Sequence, residues 1–174
     1  MWSPYEGLNS IISLLSHTSP DVRIGASLAV GLINNGIYNP GEDITLNVLY
    51  SQLSSPGPSV SRSASSVYSA SLLSLALTYA NSARSDLLPF IIEGIRNGSM
   101  DVGLCKWIDS YTAAAASIAA GFIFCGRRNA TLIREISSRF TDITAENEDS
   151  VSALMLGFGF GMMFTVRLKD RSDS

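Results

Sequence analysis

The chain has 174 residues, 46% of them hydrophobic and only 16% charged, with a formal net charge of −3. That length can bury a sizeable core as one domain. The slight acidic balance, with no Lys/Arg cluster interleaved with aromatics, excludes nucleic acid as the partner. One histidine and two well-separated cysteines leave too little for a metal centre or a disulfide framework, so neither metal nor cofactor is expected.

From the N-terminus, Leu8, Ile11, Ile12 and Leu15 stand at i, i+3, i+4 and i+7, the spacing of an amphipathic helix over Gly7–Ser16. Ser19 then caps a second helix with Pro20 at its first position. This helix is made largely of small residues and reads IGASLAVGLINNG over Ile24–Gly36. Leu46, Leu49, Tyr50 and Leu53 repeat the amphipathic spacing, and SSPGPSVSRSASS (Ser54–Ser66) reads as a loop. The small-residue pattern returns as SASLLSLALTYAN (Ser69–Asn81), followed by the stripe Leu88, Ile91, Ile92 and Ile95. Gly98–Ser110 is a long connection with Trp107 as an anchor, leading into AAAASIAAGFIFCG (Ala113–Gly126). Ile133, Ile136 and Phe140 give a fourth stripe. An acidic connection, Glu146–Asp149, precedes a last small-residue helix over Ser150–Phe164 and a polar tail, Arg167–Ser174.

Aligning Gly31, Ala76, Gly121 and Gly159 gives spacings of 45, 45 and 38 residues. Self-similarity at such a period predicts an all-α, α-α solenoid, in which no unit buries its apolar surface alone. The small-residue helices, apolar nearly all round, form an inner layer, and the amphipathic helices an outer one. The expected unit is an inner helix, a turn and an outer helix, with residues 1–166 as one solenoid body and 167–174 as the tail. On that reading the first outer and last inner helices lack partners, as in a slice of a longer array, and the last helix should expose Leu154, Leu156, Phe158, Met162, Met163 and Phe164.

Catalytic chemistry has little material, and no enzyme is expected. His17 ends an outer helix with no nucleophile signature near it. Gly157, Gly159 and Gly161 lie inside a helical repeat, whereas a dinucleotide loop must join a strand to a helix. A small membrane protein is the alternative raised by Ala113–Cys125 and Val151–Val166. Both runs fall short of the roughly 20 residues a bilayer needs. Met1–Ser10 lacks the basic start and apolar core of a secretion signal. Cys105 and Cys125, on or beside inner helices, are expected to be reduced and buried in a cytoplasmic and nuclear protein.

An inner helix of the form small-x-L-x-L-G-hydrophobic-x-x-x-G, repeated at this length, resembles the proteasome/cyclosome repeats. These occur in the non-ATPase scaffold subunits of the proteasome regulatory particle and in the largest subunit of the anaphase-promoting complex. The resemblance runs from Trp2 and Gly7-Leu8 through VRIGASLAVGLINNGIYN (Val22–Asn39), LALTYANSARSDLLPFI (Leu75–Ile91) and AGFIFCGRRNATLIREI (Ala120–Ile136) to LMLGFGFG (Leu154–Gly161). It implies a toroid, here a partial one, and a non-catalytic scaffold for ubiquitin-dependent proteolysis whose partners are other regulatory-particle subunits.

The resemblance also implies an alternative role, a receptor for ubiquitin or ubiquitin-like domains on acidic outer helices. By motif position the acidic places on the helix after Gly126 fall at Thr131, Ser138 and Asp142, and only Asp142 keeps a carboxylate. Arg127, Arg128, Arg134 and Arg139 make that helix basic, while Asp86 and Glu93 on the preceding outer helix supply part of an acidic surface.

Overall fold

The computed structural model describes residues 4–35, 43–54, 61–97, 106–145 and 150–165. Among them are eight α-helices and no strand. These are α1 (Pro4–Ile12), α2 (Pro20–Ile33), α3 (Ile44–Ser54), α4 (Arg62–Thr78), α5 (Leu88–Asn97), α6 (Lys106–Ile123), α7 (Ala130–Ala145) and α8 (Ser150–Met163).

The four small-residue helices pack in chain order, α2 on α4, α4 on α6 and α6 on α8, and these are the most extensive helix contacts. Side-chain size is the cause. A Cβ added to Gly31 would lie 2.6 Å from Ser74 Cα, so only glycine lets these two backbones approach so closely. On α6, Ala113, Ala116, Ala119 and Ala120 are wholly buried. Hydroxyls placed between the helices find one another. Ser27 and Ser71 are 3.4 Å apart, Ser65 and Thr112 2.5 Å, and Ser117 Oγ donates to the Leu156 carbonyl at 3.1 Å.

Each amphipathic helix contributes large buried anchors: Leu8 on α1, Leu49 and Leu53 on α3, Ile91 and Ile95 on α5, Leu132 and Ile136 on α7. Full burial of such a side chain is worth about 1.5–3 kcal/mol, so these anchors hold the amphipathic helices to their neighbours. The partner differs from the expected one. Helices α3 and α5 pack more extensively on the small-residue helix that follows than on the one that precedes, and α1 and α7 lie on α2 and α8. The packed unit is therefore amphipathic helix first, small-residue helix second.

Two joints tie neighbouring units together in the same way. After α4, Asn81 and Ala83 adopt φ of 60° and 56°, and their N–H groups donate to the carbonyls of Phe122 (2.7 Å) and Ile123 (2.9 Å) at the end of α6. After α6, Gly126 and Arg128 (φ 68° and 44°) donate to Met162 (3.2 Å) and Met163 (3.4 Å) at the end of α8. Left-handed residues at helix ends redirect N–H groups in this manner. Here those groups satisfy the orphan carbonyls of the next unit.

The joints also shift the alignment of the small-residue helices. Phe122 and Ile123 correspond to Met162 and Met163, an offset of 40 residues, so Gly161 and not Gly159 continues the series Gly31, Ala76, Gly121. Gly159 instead faces back to α6, where an added Cβ would collide with the Ser117 carbonyl.

Other expectations shift locally. The end of the Ser-rich stretch is helical instead of loop, because Ser61 accepts from Ala64 N at 3.2 Å and starts α4 at Arg62; residues 55–60 lie outside the described residues. Tyr50 points outward, 55% exposed, and Cys125 is half-buried against the Thr165 hydroxyl at 3.2 Å instead of buried. Leu156 and Met163 are wholly buried, unlike the other apolar residues expected to stand open on α8. Lys106–Ser110, assigned to the connection, opens α6. Cys105, the Trp107 side chain and Glu146–Asp149 lie outside the described residues.

Candidate functional surface on the amphipathic helices

The expected site residues fall on α5, the short turn before it, and α7. Asp86 is exposed, but both its oxygens are engaged by Arg84, through Nε at 2.9 Å and through Nη2. The Arg84 guanidinium holds the Asp86 carboxyl below the usual carboxylate range. Arg84 also donates to Asp43 and lies 4.7 Å over the Tyr79 ring, while the Tyr79 hydroxyl donates to Asp43 as well. Burial, then the Asp43 bond, push the Tyr79 phenol up. Asp43 precedes α3 and accepts from Leu46 N at 3.4 Å, so the cluster clamps the start of α3 to the end of α4. Asp86 thus serves a structural clamp more than a free acidic surface.

Glu93 is exposed on α5. One turn before it, Phe90 meets Tyr50 of α3 edge to face, centroids 6.0 Å apart. The Phe90 carbonyl accepts from the Tyr68 hydroxyl at 2.6 Å, which fixes the backbone beneath that pair. Burial is the main cause that pushes the Tyr68 phenol up, with the Glu93 charge adding to it. Tyr50 and Phe90, with Glu93 one turn on, set an aromatic pair beside a carboxylate on the amphipathic helices.

Helix α7 carries Thr131 and Ser138, both exposed, and the Asp142 side chain lies outside the described residues. Thr131 N donates to Asn129 Oδ1 at 3.1 Å, part of the cap that starts α7. Arg127, Arg128 and Arg134 project outward. Arg139 does not, being 9% exposed with no hydrogen-bond partner for its Nε among the described residues. The expected basic face is therefore weaker by one charge. Helices α5 and α7 are joined by Arg96, which grips both Glu135 oxygens at 3.0 and 2.7 Å and holds that carboxyl below its usual range. Sequence reading had no signal for this pair, because its partners are 39 residues apart.

Between α7 and α8 lies an apolar groove of about 380 Å³ lined by Ile136, Ser137, Phe140, Thr141, Gly157 and Phe160. His17 is exposed at the end of the turn after α1, and its Nδ1 accepts from Ser19 N at 3.1 Å. Among the described residues no group of His, Cys, Asp and Glu could hold a metal, and no helix is long and apolar enough to cross a membrane. No protein-family model matches the sequence, and comparison with curated proteins gives no match.

Proposed function

We propose that the chain is a non-catalytic scaffold of proteasome/cyclosome repeats stacked as an α-α solenoid. On this reading its repeats resemble those of the smaller of the two non-ATPase scaffold subunits of the proteasome regulatory particle, the one attached to the ATPase ring. The observation that carries the reading is the joint made twice, with donors 45 residues and acceptors 40 residues apart. Asn81 and Ala83 reach the end of α6 just as Gly126 and Arg128 reach the end of α8. Stacking of this kind makes long rigid surfaces out of units that cannot stand alone, which suits holding other subunits in place. The test is to label the chain in cells and sediment the isolated regulatory particle. Stoichiometric co-migration with the ATPase subunits is expected, and migration apart from them would overturn the reading.

A second role, docking ubiquitin or a ubiquitin-like domain, is favoured by the Tyr50–Phe90 pair beside Glu93. An apolar centre with an acidic rim complements the basic, apolar-centred patch of such domains. Asp86, committed to Arg84, and the arginines of α7 oppose it.

A further inference from the structure

We propose that the chain assembles head to tail with a second copy of itself, α8 of one copy receiving α2 of the next. Among the described residues, no other small-residue helix covers the face of α8 turned away from α6. Leu154 is 72% and Phe158 56% exposed, and an added Cβ on Gly161 would meet nothing within 4 Å. In the earlier small-residue helices the same register faces a successor. Ser27 and Gly31 meet Ser71 and Ser74, and Ser117 and Gly121 meet Leu156 and Gly159. Gly161 stands where Gly31 and Gly121 stand, and no described helix lies against it.

The described residues contain one small-residue helix not preceded by another, α2, and it carries the complement. Gly25 likewise meets nothing within 4 Å, Leu32 is 63% exposed, and Leu28, Ala29 and Ile33 are half-buried. Leu32 and Ile33 hold the places of Phe122 and Ile123, the acceptors for the preceding unit's turn. Alongside, the apolar groove between α7 and α8 lies at the same end and gives α1 of the incoming copy a seat, as α5 seats α7. Most large apolar side chains exposed among the described residues sit at these two ends, Leu14 and Leu32 at one and Val151, Leu154, Met155, Phe158 and Phe164 at the other. Contiguous apolar surface of that kind marks an interface. Two different faces meeting give a heterologous contact, which closes into a ring or runs on as a filament.

The test is sedimentation of the intact chain, of Leu32→Asp, of Phe158→Asp and of the two variants mixed. The parent should form concentration-dependent species larger than a dimer. Each variant alone should be monomeric, its self-association weakened by about 100-fold or more by a carboxylate forced into an apolar contact. The mixture should give a one-to-one heterodimer, because each variant retains the face the other has lost. If Phe158→Asp fails to fold, Leu154→Asp, at the most exposed of the large apolar side chains described on α8, replaces it. A parent that stays monomeric up to about 0.5 mM, weaker than any useful assembly, overturns the proposal in favour of another occupant. Dimers of Leu32→Asp that Phe158→Asp does not form overturn it in favour of α8 pairing with α8.

Discussion

Gly121 on α6 and Gly159 on α8 stand backbone to backbone: a methyl group added to Gly121 would lie 2.5 Å from the Gly159 carbonyl oxygen. Nothing flexible separates them, so the helices themselves must move. Gly121→Ala should cost about 1–3 kcal/mol, and Gly121→Leu more. Gly157, two residues before Gly159 on α8, gives the opposite result. Its added Cβ would make an ordinary 3.6 Å contact with Phe140. Gly157→Ala should therefore stabilise by about 0.5–1 kcal/mol through helix propensity. Urea midpoints of the two variants, moving in opposite directions from the parent, check the pair. A Gly121→Leu variant as stable as the parent would contradict the close packing.

The Asp43 clamp gives a second contrast. Asp43 accepts from Tyr79 and Arg84 and also caps α3, whereas Asp86 is a half-exposed partner of Arg84 alone among these groups. Asp43→Ala should cost about 1–3 kcal/mol, since it strips a cap and two part-buried donors at once. Asp86→Ala should cost under about 1 kcal/mol, as exposed ion pairs do. Chemical denaturation orders the two, and equal losses would show that the clamp does not run through Asp43.

Acid should weaken the protein through the same contacts. Arg84 lowers the Asp86 carboxyl and Arg96 lowers that of Glu135. A carboxylate whose folded value is depressed adds stability that is fully present above its unfolded value of about 4. That stability is lost as pH falls through the lower folded value. Thermal midpoints should hold between about pH 5 and 7 and drop below about pH 4. Glu135→Gln, which cannot titrate, should lie below the parent near neutrality and converge with it in acid. A constant gap across the range would remove the Arg96 pair as the cause.

The helices and their buried stripes were legible in the residues, and the registers were not. Buried anchors such as Leu49, Ile91 and Ile136 follow from helical spacing alone, because one apolar stripe per helix leaves one way to pack. The glycines of α8 alternate at Gly157, Gly159 and Gly161, so spacing could not choose which continues the series. The bonds from Gly126 and Arg128 to Met162 and Met163 chose Gly161. The positive φ of Ala83 and Arg128 was hidden because neither residue favours it, although Asn81 and Gly126 carried the usual helix-end signal. On the candidate surface, Glu93 was legible as an exposed carboxylate. The binding of Asp86 by Arg84 and the burial of Arg139 depend on contacts that a single strand of sequence does not display.

The carboxylate best placed beside an apolar centre is Glu93, next to Phe90 and Tyr50, while Asp86 is occupied by Arg84. Helix α7 presents Arg134, 76% exposed, with Arg127 and Arg128 at its approach. A basic partner patch is drawn to α5 and repelled by α7, and each rim charge is worth about 1 kcal/mol or less. Binding should therefore be weak and centred on α5. Glu93→Lys should abolish it, and Thr131→Asp with Ser138→Asp should strengthen it several-fold, since both positions are exposed and Thr131 sits in the first turn of α7, where an acidic residue also suits the helix dipole. Titrating isotope-labelled ubiquitin and following its amide shifts measures all three. Tight binding that Glu93→Lys leaves untouched would place any such contact on a different face of the molecule.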